Sequence, residues 1–163
     1  MAENTSMISH AYVEFLRTHF ALDWGGIHGA SHWARVRANG LLLAEQTGAD
    51  PKVVEIFAFV HDIERRSDGS DPDHGPRAAD LAVQINSEFF GLTQTQLRCL
   101  IKACEGHSLG STQGNPTVLT CWDADRLDLG RVGIKPIAEK LCTAAAREGT
   151  MIEWSYKRSM LMK

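Results

Sequence analysis

The chain has 163 residues, a formal net charge of -3, 44% hydrophobic and 23% charged residues. This is the length of one domain with a sizeable core, and the composition of an ordinary globular protein without disordered or collagen-like character. The mild negative balance argues against a general nucleic-acid or membrane-surface binder, and the apolar runs are too short to span a bilayer.

The N-terminus Met1-Ala2-Glu3-Asn4-Thr5 lacks the basic segment and apolar stretch of a signal peptide, so a cytoplasmic location is expected. Four cysteines, Cys99, Cys104, Cys121 and Cys142, show no CxxC spacing and read as reduced core residues.

Ile8, Tyr12, Phe15, Leu16 and Phe20 recur at helical spacing, which predicts a helix from about Ser6 to about Phe20. His10 and His19 lie on or beside it with no chemical role assigned. The glycine-rich stretch Asp23–Ser31 reads as a loop that carries Trp24 and His28. Trp24 and Trp33 read as core or rim. Ser31 is the expected cap of a second helix that starts at His32 and stops at Gly48.

Asp50-Pro51 reads as a cap followed by a first-turn proline, opening a helix whose apolar run Phe57-Ala58-Phe59-Val60 ends in His61-Asp62. An imidazole and a carboxylate where a helix should still be buried are costly unless something pairs with them. A divalent cation is the natural partner, since imidazole nitrogen and carboxylate oxygen are its common ligands.

A charged loop, Glu64 to Gly75, follows. His74 then opens a helix with Ala78, Leu81, Ala82, Ile85 and Phe89 as its apolar stripe, ended by Gly91. Thr93 and Gln96 resemble a capping box for the next helix, with His107 at its C-terminal end. Asn115-Pro116 restarts the chain into a helix through Val118, Cys121, Trp122 and Asp125; periodicity alone does not choose between Asp123 and Asp125 as its inward carboxylate. Two weaker helices are expected at about Ile137–Ala146 and Met151–Ser159, within a C-terminal region of about 136–160. No segment alternates with period two, and the expected fold class is all-α, a compact multi-helix bundle forming one domain over 1–163.

His32, His61, Asp62, His107 and Asp125 stand out at helix ends or within apolar faces, with His74 close behind. The set His32-Trp33-Ala34-Arg35-Val36, then His61-Asp62 ending an apolar helix, then Asp123-Ala124-Asp125-Arg126-Leu127-Asp128 resembles the HD-domain superfamily of metal-dependent phosphohydrolases. The likeness covers about 28–133, the motif elements falling in the family's order. It implies His32, His61, Asp62 and Asp125 as ligands of one divalent ion, the basic residue and leucine after Asp125 favouring it over Asp123. It implies His74 and His107 as ligands of a second ion where two are bound.

The ion would be manganese, iron, nickel, cobalt, zinc or magnesium, one or two per chain, with the histidines favouring a transition metal. The expected function is hydrolysis of a phosphomonoester or pyrophosphate bond in a small phosphorylated metabolite, a nucleotide being the leading class, by water activated at the metal. Asp62 and Glu64 are the catalytic candidates, Glu64 for proton transfer to the leaving group. Arg35, Arg65, Arg66 and Arg126 are candidate phosphate clamps, and His28 a pocket residue touching substrate. Asp123 and Asp128 are expected to fix neighbouring side chains as acceptors. The alternatives are a di-iron oxygenase on the same frame, as in inositol oxygenase, and a non-catalytic metabolite-binding module. The partner is the small substrate, with nucleic acid and membrane not expected and a homodimer left open.

Overall fold

A computed structural model describes residues 5–161, so Met1–Asn4, part of the stretch read for a leader, lies outside the described residues. The described chain is all-helical: α1 His10–His19, α2 Ala30–Thr47, α3 Pro51–Val60, α4 His74–Ile85, α5 Gln94–Gly106, α6 Pro116–Arg126, the single turn α7 Ala144–Arg147, and α8 Gly149–Leu161. No strand occurs among the described residues. No helix there is long and apolar enough to cross a membrane.

Local signals set most boundaries. Asp50 accepts from the Lys52 N–H at 2.9 Å and Pro51 fills the first turn of α3. Thr93 and Gln96 make the reciprocal box at the start of α5, and Asn115 accepts from the Val118 N–H at 3.0 Å ahead of Pro116 in α6. Gly48 closes α2 at a φ of 73°, a left-handed conformation that favours glycine.

Three expectations are corrected. The first helix begins at His10, not Ser6, because Glu55 on α3 takes up the groups that a helix there would use. The Ser6 hydroxyl donates to its carboxylate at 2.7 Å and the Met7 N–H at 2.8 Å, and Ser9 caps instead. The second helix starts at Ala30, with Gly29 as its cap and Ser31 in its first turn. The preceding loop closes on itself through Gly29 N–H to Gly26 C=O at 3.0 Å and Ala30 N–H to Trp24 C=O at 2.9 Å.

The span Ile137–Ala146 is not a helix: a 3₁₀ turn at Ala138–Lys140 and α7 flank an extended Leu141–Thr143. Asp123 on α6 holds that segment open, accepting from the N–H groups of Cys142 and Thr143 at 2.7 and 2.8 Å and from the Thr143 hydroxyl at 2.8 Å. The expected last helix runs to Leu161, two residues past Ser159. The stripe of α4 ends in a π turn, Asn86–Phe90, before Gly91.

The main apolar cluster gathers Leu16, Trp33, Val36, Ile56, Phe57, Ala78, Leu100 and Cys121 from α1 to α6. Helices α2, α3, α5 and α6 pack on one another, with α4 laid along α5. A smaller cluster joins Leu43 and Leu127 to Leu141, Ala146, Met151 and Ile152. Two glycines permit close helix approach. A Cβ at Gly40 would stand 2.5 Å from Val54 Cγ1, and one at Gly75 would stand 2.4 Å from the Cys104 carbonyl oxygen. The second contact brings the start of α4, and His74, against the end of α5, and His107.

Candidate metal centre

Four helix ends converge on one point: the start of α2 carries His32, the end of α3 His61 and Asp62, the start of α4 His74, and the end of α5 His107. Asp125 enters from α6. All four histidines and Asp62 are buried. His61 keeps helical backbone angles and its N–H still bonds the Phe57 carbonyl at 3.0 Å, so the helix delivers His61 and Asp62 into the pocket before it unwinds.

Each ring is oriented from behind. His32 Nδ1 faces Asp128 at 2.7 Å, His61 Nδ1 the Phe57 carbonyl at 3.0 Å, and His107 Nδ1 the Cys104 carbonyl at 2.7 Å; His74 Nδ1 faces the Asp71 carbonyl. Every one of these partners is an acceptor, so each Nδ1 carries a proton and each Nε2 is the atom turned inward, free to ligate once it is deprotonated. Those Nε2 atoms face one another in two pairs, His32 with His61 at 3.1 Å and His74 with His107 at 2.7 Å. Two ligand nitrogens at about 2.0–2.1 Å from one ion and about 90–109° apart are about 2.8–3.4 Å from each other. The first pair falls inside that window and the second just short of it.

Asp62 joins the two pairs. Its Oδ2 lies 3.5 Å from His32 Nε2 and 3.4 Å from His61 Nε2, while its Oδ1 lies 3.2 Å from His74 Nε2 and 3.6 Å from His107 Nε2. Asp125 Oδ1 adds 3.3 and 3.6 Å contacts to His32 and His61. Two groups that could hold a metal ion result, His32–His61–Asp62 and Asp62–His74–His107. Nitrogen and oxygen donors without thiolate suit a divalent transition metal.

The electrostatics agree. Burial alone would lower the His61 pKa, yet the Asp62 and Asp125 carboxylates raise it to about 10. His32 is raised as well: burial and the Arg131 charge oppose this, and its bonds to Asp125, Asp128 and Asp62 prevail. Burial would raise Asp62 and Asp125, but the facing imidazoles hold both well below the usual carboxylate range. The pocket is built to hold positive charge.

The remaining candidates separate. Arg65 donates to Asp62 at 3.1 Å and lines a cavity of about 270 Å³ that opens onto Asp62, His107 and Asp125. Arg126 lines it too, with its guanidinium bonded to the carbonyls of Lys140 and Ser111. Arg66 is exposed and its side chain is not among the cavity's walls. Arg35 faces Asp128. It is buried and makes a two-point pair with Asp128 at 2.7 and 3.1 Å, because three residues on from His32 it shares that face of α2. Glu64 is bonded to His19, and its carboxylate contacts none of the metal-ligand candidates. His28 is buried and its Nδ1 meets Asp68 at 2.8 Å; burial lowers its pKa.

Asp123 and Asp128 both act as buried acceptors, as their positions suggested. Arg131 was missed. It lines the same cavity and donates to the Ile27 and Asp128 carbonyls at 2.8 and 3.0 Å. Its spacing of three from Asp128 was the available signal.

No protein-family model matches the sequence, and no curated protein matches it. Among solved structures, the chain is similar to a protein described as a predicted HD superfamily hydrolase from an uncultured Thermotogales bacterium. The two share 27% sequence identity over 92% of this chain and 86% of that one, with a TM-score of 0.69. In its helical fold over most of its length the chain is similar to that predicted HD superfamily hydrolase, and the histidines and aspartates that the fold gathers are consistent with an HD-type metal site.

Proposed function

We propose that the protein is a metal-dependent phosphohydrolase acting on a small phosphorylated metabolite, with His32, His61, Asp62 and Asp125 holding one divalent ion and Asp62, His74 and His107 a second. One observation carries this: four inward Nε2 atoms, with every Nδ1 turned outward to an acceptor, meet around a carboxylate that contacts all four. In a buried pocket such an array is satisfied by cations. The neighbour described as a predicted HD superfamily hydrolase supports the hydrolytic class.

Bound divalent ions supply Lewis-acid polarisation of a phosphoryl oxygen and lower the pKa of water. The protein's own groups do the rest. Asp62 holds the two ligand groups in register, and Asp128 fixes the ring of His32. Arg65 and Arg131 set positive charge along the cavity wall, where the departing oxygen's charge must be balanced. A nucleotide is the substrate class that the family likeness suggests. The reaction needs no redox partner, and a reducing compartment such as the cytoplasm is part of the proposal, supported by four thiols free of disulfides.

A second reading rests on the same two ligand groups: two irons held by them would also supply oxygen activation. The test covers both. Purified protein is assayed for metal by elemental analysis and for phosphoester hydrolysis with and without oxygen, beside His61→Ala. Metal near two equivalents, oxygen-independent hydrolysis, and loss of both metal and turnover in the variant are expected. Turnover that requires oxygen would establish the iron reading instead, and full activity in His61→Ala would remove the site as drawn.

A further inference from the structure

Beside the metal-side cavity lies a larger one of about 540 Å³, and the two meet along Gly110, Arg126 and Leu129. Its size suits the body of a small ligand. Leu129, Ile134, Pro136, Ile137 and Leu141 make its walls apolar and aliphatic. Two of them, Ile134 and Ile137, remain 54% and 49% exposed, aliphatic surface that a bound molecule would cover. No Phe, Tyr or Trp lines either cavity, so neither offers the ring on which a nucleobase stacks.

The charge is one-sided. Arg126, Lys135 and Lys140 line the larger cavity and no acidic residue does. Arg126 is spent on carbonyls and Lys135 pairs with Glu153. The Lys140 ammonium has no partner among the described residues. It borders only the larger cavity, so a negative group that it meets is not the one at the metal ligands.

We infer that the substrate is a phosphomonoester of an aliphatic alcohol carrying an acidic group at its far end. The phosphoryl group sits with Arg65, Arg131 and the ligand cluster, the chain passes Leu129 into the aliphatic cavity, and the acid reaches Lys140. This rests on the phosphohydrolase reading and replaces the nucleotide as the substrate class. In the reaction a water oxygen bonds to phosphorus, the P–O bond to the alkyl group breaks, and the leaving alkoxide gains the proton that water gives up. The products are the alcohol and hydrogen phosphate.

The test is calorimetric titration of the metal-loaded protein with phosphonates that cannot be hydrolysed: methyl-, butyl- and hexylphosphonate, 6-phosphonohexanoate, and the phosphonate analogue of adenosine monophosphate. Affinity rises roughly three- to fourfold per methylene that enters the cavity. The terminal carboxylate of 6-phosphonohexanoate adds to it, and the adenosine compound gains nothing over methylphosphonate. Ile137→Asp, at an exposed position, flattens the chain-length series, while Lys140→Gln lowers the gain from the terminal carboxylate. A flat series in the native protein, or an adenosine compound that outbinds hexylphosphonate, overturns the inference and leaves the phosphohydrolase reading standing. If methylphosphonate and all the others fail to bind, the phosphoryl site fails, and this inference with it.

Discussion

Asp128 shows how much of a metal site is built from residues that touch no metal. One carboxylate accepts from His32 Nδ1 at 2.7 Å and from the Arg35 guanidinium at 2.7 and 3.1 Å, with every partner buried. Asp128→Asn keeps the shape but has one acceptor where two are used, and its amide must face a ring N–H or a guanidinium. Arg35 loses its counter-charge in either placement, and with the amide turned to His32 the ring loses its tautomer as well. We expect a 10- to 100-fold loss of affinity for the ion at His32 and His61, and a stability loss of about 3 kcal/mol from a stranded buried cation. Binding at His74 and His107 should change little. Metal titration and urea unfolding of the variant read the two effects separately, and unaltered affinity at both centres would show that Asp128 does not govern His32. The ligand candidates were legible because their order along the chain is a pattern. Arg131 was not, because its place in the cavity depends on the 3₁₀ turn Leu129–Val132 carrying it round behind Asp128.

At the scale of elements, the second ligand group depends on one close helix contact. Gly75 abuts the Cys104 carbonyl, the same carbonyl that accepts from His107 Nδ1. A methyl group there, at 2.4 Å, must push α4 from α5 or displace that carbonyl, and in both cases His74 and His107 part. Gly75→Ala should therefore lose about 1–3 kcal/mol of stability and the ion held by His74 and His107, while the ion at His32 and His61 stays. Elemental analysis falling from two equivalents to one is the expected result; two retained equivalents would mean that α4 is not held by this contact. The same scale explains which helices could be read. The starts of α3, α5 and α6 are written in adjacent residues, Asp50-Pro51, Thr93 with Gln96, and Asn115-Pro116. The start of α1 and the break at Leu141–Thr143 are set by Glu55 and Asp123, carboxylates on distant helices that outbid local helical preference.

At the scale of the whole molecule, the fold brings its helix ends together around a charge, and pH decides which charge is there. In the metal-free protein His61 has its pKa raised to about 10 by Asp62 and Asp125, against about 6.5 in an unfolded chain. A folded-state pKa above the unfolded one means that the proton stabilises the fold. That contribution is complete below about pH 6.5 and is lost as pH rises through about 10. Asp62 and Asp125 run the other way: their lowered values give stability above the usual carboxylate range that is lost in acid. A metal ion needs the His61 nitrogen free, so it displaces that proton, and its apparent affinity should rise about tenfold per pH unit across the same window. Each tenfold is about 1.4 kcal/mol at fixed metal concentration, or roughly 3–5 °C in Tm for a chain of this size. Melting curves with chelator and with added zinc or manganese, at about pH 6.5 and about pH 8.5, should therefore diverge. The chelated protein loses stability towards the higher pH because the unfolded chain sheds its His61 proton while the fold still holds it, and the gain from metal grows by up to about 10 °C. A metal-induced gain that is the same at both values would mean that no proton gives way to the ion, and His61 would then not be a ligand.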